Sequence, residues 1–201
     1  MEADINRPFD AVITVPGTFS GIAALGIRVD NNTLVGIEFL DPEISVLETR
    51  ANKTVTTTVT ITGNTRHPVN QGTNKNNKPI TGYAKEVVNQ LEHYFKDPDW
   101  CFTLNLGKDG TAFQQRVWKK LQDIPHNKKY TYGDVAKSIS SSPRAVGGAC
   151  RSNPVPIVVP CHRVVAANGL GGFCGSKNKK SKKLQIKQWL LEHEKKDGAR
   201  R

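Results

Sequence analysis

The chain has 201 residues, a net charge of +11 and 37% hydrophobic residues, material for one large domain or two small ones. No run approaches the roughly 20 apolar residues that cross a bilayer, and Met1-Glu2-Ala3-Asp4 does not open like a secretory signal. A membrane role is therefore not expected, and the positive charge favours a polyanionic partner. Cys101, Cys150, Cys161 and Cys174 fall at irregular spacings without a CxxC or paired Cys/His pattern, which predicts reduced thiols in an intracellular protein and no metal site.

Residues 9–39 read as strands joined by turns. Residues 11–15 lead into Pro16-Gly17, and residues 22–29 and 34–39 flank the polar connection Asp30-Asn31-Asn32, suited to a hairpin. The Thr- and Val-rich stretch 54–62 predicts a further strand, and residues 63–78, without periodicity, a long mobile loop. Thr81 is placed to cap a helix whose stripe is Tyr83, Val87, Leu91, Tyr94 and Phe95. The turn 107–110 suggests a boundary between domains 1–108 and 109–201.

Thr111 starts a second helix with Phe113, Val117, Trp118 and Leu121 on one face. Two short helices follow, about 132–140 and 143–151, in the outline of a helix-turn-helix. The apolar run Pro156-Ile157-Val158-Val159 reads as an extended buried segment ending in Pro160-Cys161-His162-Arg163-Val164. After it come a Gly-rich loop (169–175), five lysines within 177–183, and a last helix over 184–194. A cysteine is a strong nucleophile only as thiolate, and a neighbouring histidine or other cation lowers its pKa. Cys161 is thus the candidate nucleophile and His162 its candidate base. Read alone, the pair also fits a buried free thiol beside a surface histidine.

Several segments then line up in one order: Gly110-Thr111-Ala112-Phe113-Gln114-Gln115-Arg116-Val117-Trp118, Tyr130-Thr131-Tyr132-Gly133-Asp134-Val135-Ala136, Arg144-Ala145-Val146-Gly147-Gly148-Ala149, Asn153-Pro154, the Cys161 motif and Trp189-Leu190-Leu191-Glu192-His193-Glu194. Over about residues 110–195 the set resembles the O6-alkylguanine-DNA alkyltransferase family. The resemblance implies an α/β (α+β) fold: a small N-terminal sheet-plus-helix domain, ribonuclease H-like, then a mainly helical domain with the helix-turn-helix. It implies repair of duplex DNA by direct reversal, without a cofactor. The alkyl group of O6-alkylguanine, or of O4-alkylthymine, would pass once to Cys161 of a monomeric protein, nuclear in a eukaryote and cytoplasmic in a prokaryote.

Carried over by resemblance, His162 is the base acting through a water, Glu194 orients it, and Tyr132 donates to the flipped base. Arg144 fills the space that the base leaves. The small face of Ala145, Gly147 and Gly148, with Arg151, Lys177 and Lys179, meets DNA. Cys150, Asn153, Pro156, Gly171, Gly172, Phe173, Cys174 and Gly175 are expected around the pocket, with Asn153 as a hinge. The chain departs from the pattern in a shorter turn at 140–143, in Phe173 where a tyrosine is usual, in Cys174 where a small polar residue is common, and in the lysine-rich insert 176–183. The competing readings are a non-catalytic sensor of alkylated DNA, which would lack the acceptor thiol, a transcription regulator, and a Cys-His hydrolase with repeated turnover.

Overall fold

The computed structural model describes residues 9–15, 24–40, 44–48, 57–61, 82–176 and 181–195. The expected turn at Pro16-Gly17, the Thr81 cap, the 63–78 loop and the lysines Lys177 and Lys179 lie outside these residues. The fold is mixed α/β.

Strands β1 (Ala11–Thr14), β2 (Ala24–Asp30) and β3 (Thr33–Leu40) form an antiparallel sheet in that order. Asn31 and Asn32 both take positive φ, 45° and 56°, the geometry a two-residue hairpin needs. Leu25, Ile27, Leu34 and Ile37 are buried, and α1 (Gly82–Lys96) packs Ala84, Val87, Leu91 and Tyr94 into the same core. The strand expected at 54–62 is β5 (Thr57–Ile61); its partner β4 (Ile44–Glu48) was not anticipated.

Helix α2 (Ala112–Gln122) begins with a reciprocal capping box between Thr111 and Gln114. Strand β6 (Tyr130–Thr131) runs straight into α3 (Tyr132–Ser138), which Thr131 caps. Helix α3 stops short of the expected residue 140 because Ser140 turns left-handed at φ 51°. Helix α4 (Pro143–Arg151) opens with Ser142 Oγ accepting from the Ala145 amide and Pro143 in the first turn.

The segment before Cys161 corrects one expectation. It is folded back on itself, not extended: Ile157 sits at φ 77° and the Val159 amide donates to Val155 O at 3.0 Å. A one-turn 3-10 helix, Cys161–Arg163, follows and leads into β7 (Val164–Val165), which pairs parallel with β6. Helix α5 (Lys182–His193) starts earlier than expected, because Ser181 caps it and Lys182 and Lys183 form its first turn. Bonds from Ile37 N to Pro154 O (2.8 Å) and Gly107 N to Leu34 O (2.9 Å) tie the sheet to the later segments. The buried core runs on from the sheet into α2, α4 and α5. Among the described residues no helix is long and apolar enough to cross a membrane.

Candidate active site

The parallel pair β6–β7 sets the first residue of α3 beside the 3-10 turn, so that Tyr132 and Cys161 border one cavity. The cavity, about 450 Å³, is lined by Tyr132, Arg144, Cys150, Cys161, Phe173 and Cys174 among others, within the range of small-ligand sites. Phe173 is buried and packs on Phe39, ring centres 5.9 Å apart. Gly171 is required where it stands: it takes φ 68°, and a Cβ there would meet the Tyr132 ring at 3.0 Å.

Asn153, Pro156 and Gly171 do not line this cavity, contrary to expectation. Asn153 instead braces the folded segment behind the thiol. Its Nδ2 donates to Val159 O (2.8 Å) and Cys161 Sγ (3.3 Å), and its Oδ1 accepts from the Val155 amide (3.1 Å).

Behind Cys161 lies a buried polar cluster. Glu194 Oε1 stands 2.8 Å from His162 Nε2 and accepts from Tyr94 Oη at 3.0 Å. Arg163 donates to both carboxylate oxygens and to Ile124 O. Against the burial that would raise it, hydrogen bonds from His162 and Arg163 and the Arg163 charge hold the Glu194 carboxyl down at about 2. An ionised carboxylate only accepts, so the His162 proton sits on Nε2 and Nδ1 carries the lone pair. Burial outweighs Glu194 and lowers the His162 pKa, keeping the ring neutral at neutral pH, and Nδ1 is buried with no hydrogen-bond partner among the described residues. His162 is thus a neutral base with its accepting nitrogen fixed; it is buried, not at the surface.

The thiol itself corrects the expectation of a lowered pKa. Burial pushes Cys161 up, and the Asn153 hydrogen bond and the charge of Lys187 offset this only in part. Carboxamidomethylation of Cys161 by iodoacetamide, followed on its own peptide, should therefore speed up with pH and show no plateau below the ordinary thiol value of 9.0. A plateau near neutral pH would mean that the free protein already holds a thiolate.

Two buried cations escaped the sequence reading. Arg163 lay inside the motif without an assigned role. Lys187 follows a lysine run and reads as solvated, yet it is fully buried. Its ammonium donates to Val164 O (2.6 Å), Leu170 O (2.6 Å) and Gly172 O (3.0 Å), and burial lowers its pKa to about 8. The signal available was its place in α5 between Ile186 and Leu190, both buried. Tyr132 Oη also donates to Gly172 O, at 3.2 Å, and burial raises its pKa, so the hydroxyl stays a donor.

Helix α4 presents its other face outward. Arg144, Gly148 and Arg151 are exposed and Ala145 and Gly147 partly so. A Cβ on Gly148 would meet nothing within 4 Å, so internal packing does not demand a glycine there. Cys150 is buried on the inner side of α4, and Gly175 lies by the Arg151 side chain.

Residues 112–196 match the family model described as the DNA-binding domain of 6-O-methylguanine DNA methyltransferase. A methylated-DNA–protein-cysteine methyltransferase of Methanosarcina mazei is 44% identical over 115 residues, 56% of this chain and 68% of the relative. The constitutive enzyme of that name from Bacillus subtilis is 40% identical over 124 residues, 60% of this chain and 70% of the relative. The crystal structure of Mycobacterium tuberculosis OGT in complex with DNA superposes with a TM-score of 0.63 at 30% identity, covering 92% of both chains. With this fold, this cavity and these relatives, the chain belongs to the family of methylated-DNA–protein-cysteine methyltransferases.

Proposed function

We propose that the protein repairs alkylated DNA by moving the alkyl group of an O6-alkylguanine onto Cys161, once per molecule. The observation that supports this most is a thiol opening on a cavity with room for a base and backed by a neutral histidine with an ionised carboxylate behind it. Cys161 Sγ attacks the alkyl carbon as the carbon–O6 bond breaks. The thiol proton passes through a water to His162 Nδ1, and the departing guanine oxygen is relieved of charge by hydrogen bonding or protonation. Glu194 balances the imidazolium that forms. Tyr132 supplies a donor toward the base when its hydroxyl leaves Gly172 O. The site residues call for no cofactor in this transfer.

Helices α3 and α4 act as a helix-turn-helix with α4 in the minor groove, about 6 Å wide, where only small side chains fit. Arg144 takes the place of the extruded base, whose flipping costs a few kcal/mol and least for a damaged one. Arg151, Lys177 and Lys179 contact phosphates, and division into units 1–108 and 109–201 fits these separate duties. The substrate places the protein wherever its cell keeps DNA, nucleus or cytoplasm. Gly148→Ala should hold or raise stability by up to about 1 kcal/mol, whereas Gly148→Phe should weaken duplex binding with its stability little changed. Equal duplex affinity of wild type and Gly148→Phe, measured by fluorescence anisotropy, would take α4 out of the groove.

The decisive test is intact-protein mass spectrometry after mixing with excess duplex bearing one O6-methylguanine. The expected result is one added methyl group per chain, absent in Cys161→Ala. Tight binding without any mass gain would instead favour a damage sensor, a reading that the thiol in the cavity does not favour.

A further inference from the structure

Alkyl transfer needs one thiol, but three border the cavity: Cys161, Cys150 at the inner end of α4, and Cys174 in the turn Phe173–Ser176. All three are free. They are close enough that charge on Cys161 raises the pKa of each of the other two. Cys161 is 3% exposed, yet it faces an open cavity of about 450 Å³ that a molecule the size of hydrogen peroxide enters.

The two neighbours differ in freedom. Cys150 is fixed within α4, whose adjacent Ala149 O accepts from Trp118 Nε1 at 2.8 Å. Cys174 belongs to a short turn outside any helix, closed by paired bonds between Phe173 and Ser176, 3.0 and 2.9 Å, and tied to α5 by Lys183 Nζ donating to Cys174 O at 3.0 Å. Its backbone stands at φ 44°, a left-handed conformation that is costly for a residue other than glycine. A disulfide requires Cα atoms about 4.4–6.8 Å apart and a defined dihedral. Of the two neighbours, the one in a turn, already in a strained backbone conformation, adjusts to that geometry at lower cost than one inside α4, where movement breaks the helix ladder.

We propose that Cys174 is a resolving thiol for Cys161, making the cavity a reversible site of peroxide modification. The Cys161 sulfur, giving its proton through a water to His162 Nδ1, attacks one peroxide oxygen. The O–O bond breaks, hydroxide leaves, and sulfur, oxidised by two electrons, becomes a sulfenic acid. The Cys174 sulfur then attacks the Cys161 sulfur, the S–O bond breaks, and the hydroxyl departs with the Cys174 proton as water. The resulting disulfide removes the acceptor from service but spares it the irreversible sulfinic and sulfonic steps. A thiol reductant restores it by exchange. The loss and return of repair rest on Cys161 being the acceptor; the disulfide does not.

The experiment treats the full-length protein with limiting hydrogen peroxide, blocks remaining thiols, and maps products by intact and peptide mass spectrometry. The expected result is loss of the mass of two hydrogen atoms, a linked Cys161–Cys174 peptide, and recovery of both thiols with dithiothreitol. Cys174→Ser, compared with its own untreated sample, should accumulate sulfinic and sulfonic Cys161 that dithiothreitol does not reverse. Three outcomes would overturn the proposal: irreversible Cys161 oxidation at the same rate with and without Cys174, a Cys161–Cys150 linkage, or oxidation confined to the exposed Cys101. The mass readout needs no alkylated DNA. A protein that forms the linkage but never takes up a methyl group would refute the repair assignment and leave this one standing.

Discussion

Glu194→Gln should cut alkyl transfer on the order of 100-fold or more while leaving binding to alkylated duplex largely intact. The carboxylate fixes the His162 proton on Nε2 at 2.8 Å and so keeps Nδ1 as the acceptor. An amide presenting its NH2 to the ring would reverse the tautomer, the fault that costs about 10⁴-fold in a serine-protease triad. Single-turnover rates set against affinity separate this from a misfolded site, which would lose both. Stability should fall as well, by about 3–5 kcal/mol, because Arg163 would be left buried without its counter-charge. Urea titrations against pH give an independent check. The folded carboxyl titrates at about 2 against 4.5 when unfolded, so its contribution is complete above pH 4.5 and lost as pH falls toward 2. In Glu194→Gln that acid slope should flatten.

The second large effect is expected at Lys187. Lys187→Met should destabilise the protein by about 2–4 kcal/mol, since Val164 O, Leu170 O and Gly172 O lose a common donor in a buried site. Release of a buried charge returns part of that loss. Here the sign of the pH dependence is the reverse of a surface lysine gaining a partner. The folded ammonium titrates at about 8 against 10.5 unfolded, so the unfolded chain holds more protons between those values and stability rises with pH across that window. The rise should vanish in Lys187→Met. The reactivity of Cys161 should fall too, because the charge of Lys187 lowers its pKa. Each unit by which the Cys161 pKa rises reduces the thiolate fraction about tenfold. Unchanged Cys161 alkylation at fixed pH would remove Lys187 from the electrostatics of the site.

Much of this site was legible because its signals are local. Ser142-Pro143 marks the start of α4 by capping and by a missing amide, and the observed bounds of α4 match the expected ones. Cys161 and His162 are neighbours in the chain, so any fold brings them together. The bracing role of Asn153 was hinted at by resemblance, although its position behind the thiol and outside the cavity was not. What escaped depends on distant partners. Lys187 looks solvated until β7 and the pocket loop close over it, and the raised thiol pKa follows from burial that no neighbour in sequence reports. The extended reading of residues 156–160 failed because apolar content fixes burial but not backbone angle, and Ile157 turns left-handed. β4 carries no turn signal near its end and pairs with a strand reached only after a long connection.

The bond from Tyr94 to Glu194 joins residues 100 positions apart. Cys161 and His162 precede in the chain the helix α5 that completes their surroundings. Until that last helix docks, the imidazole has no carboxylate to set its tautomer, and the ammonium of Lys187 is missing. The nascent thiol therefore stays an ordinary, unassisted one, and a chain stalled or truncated before α5 carries no working acceptor. Docking of α5 is thus the step that arms the proposed acceptor.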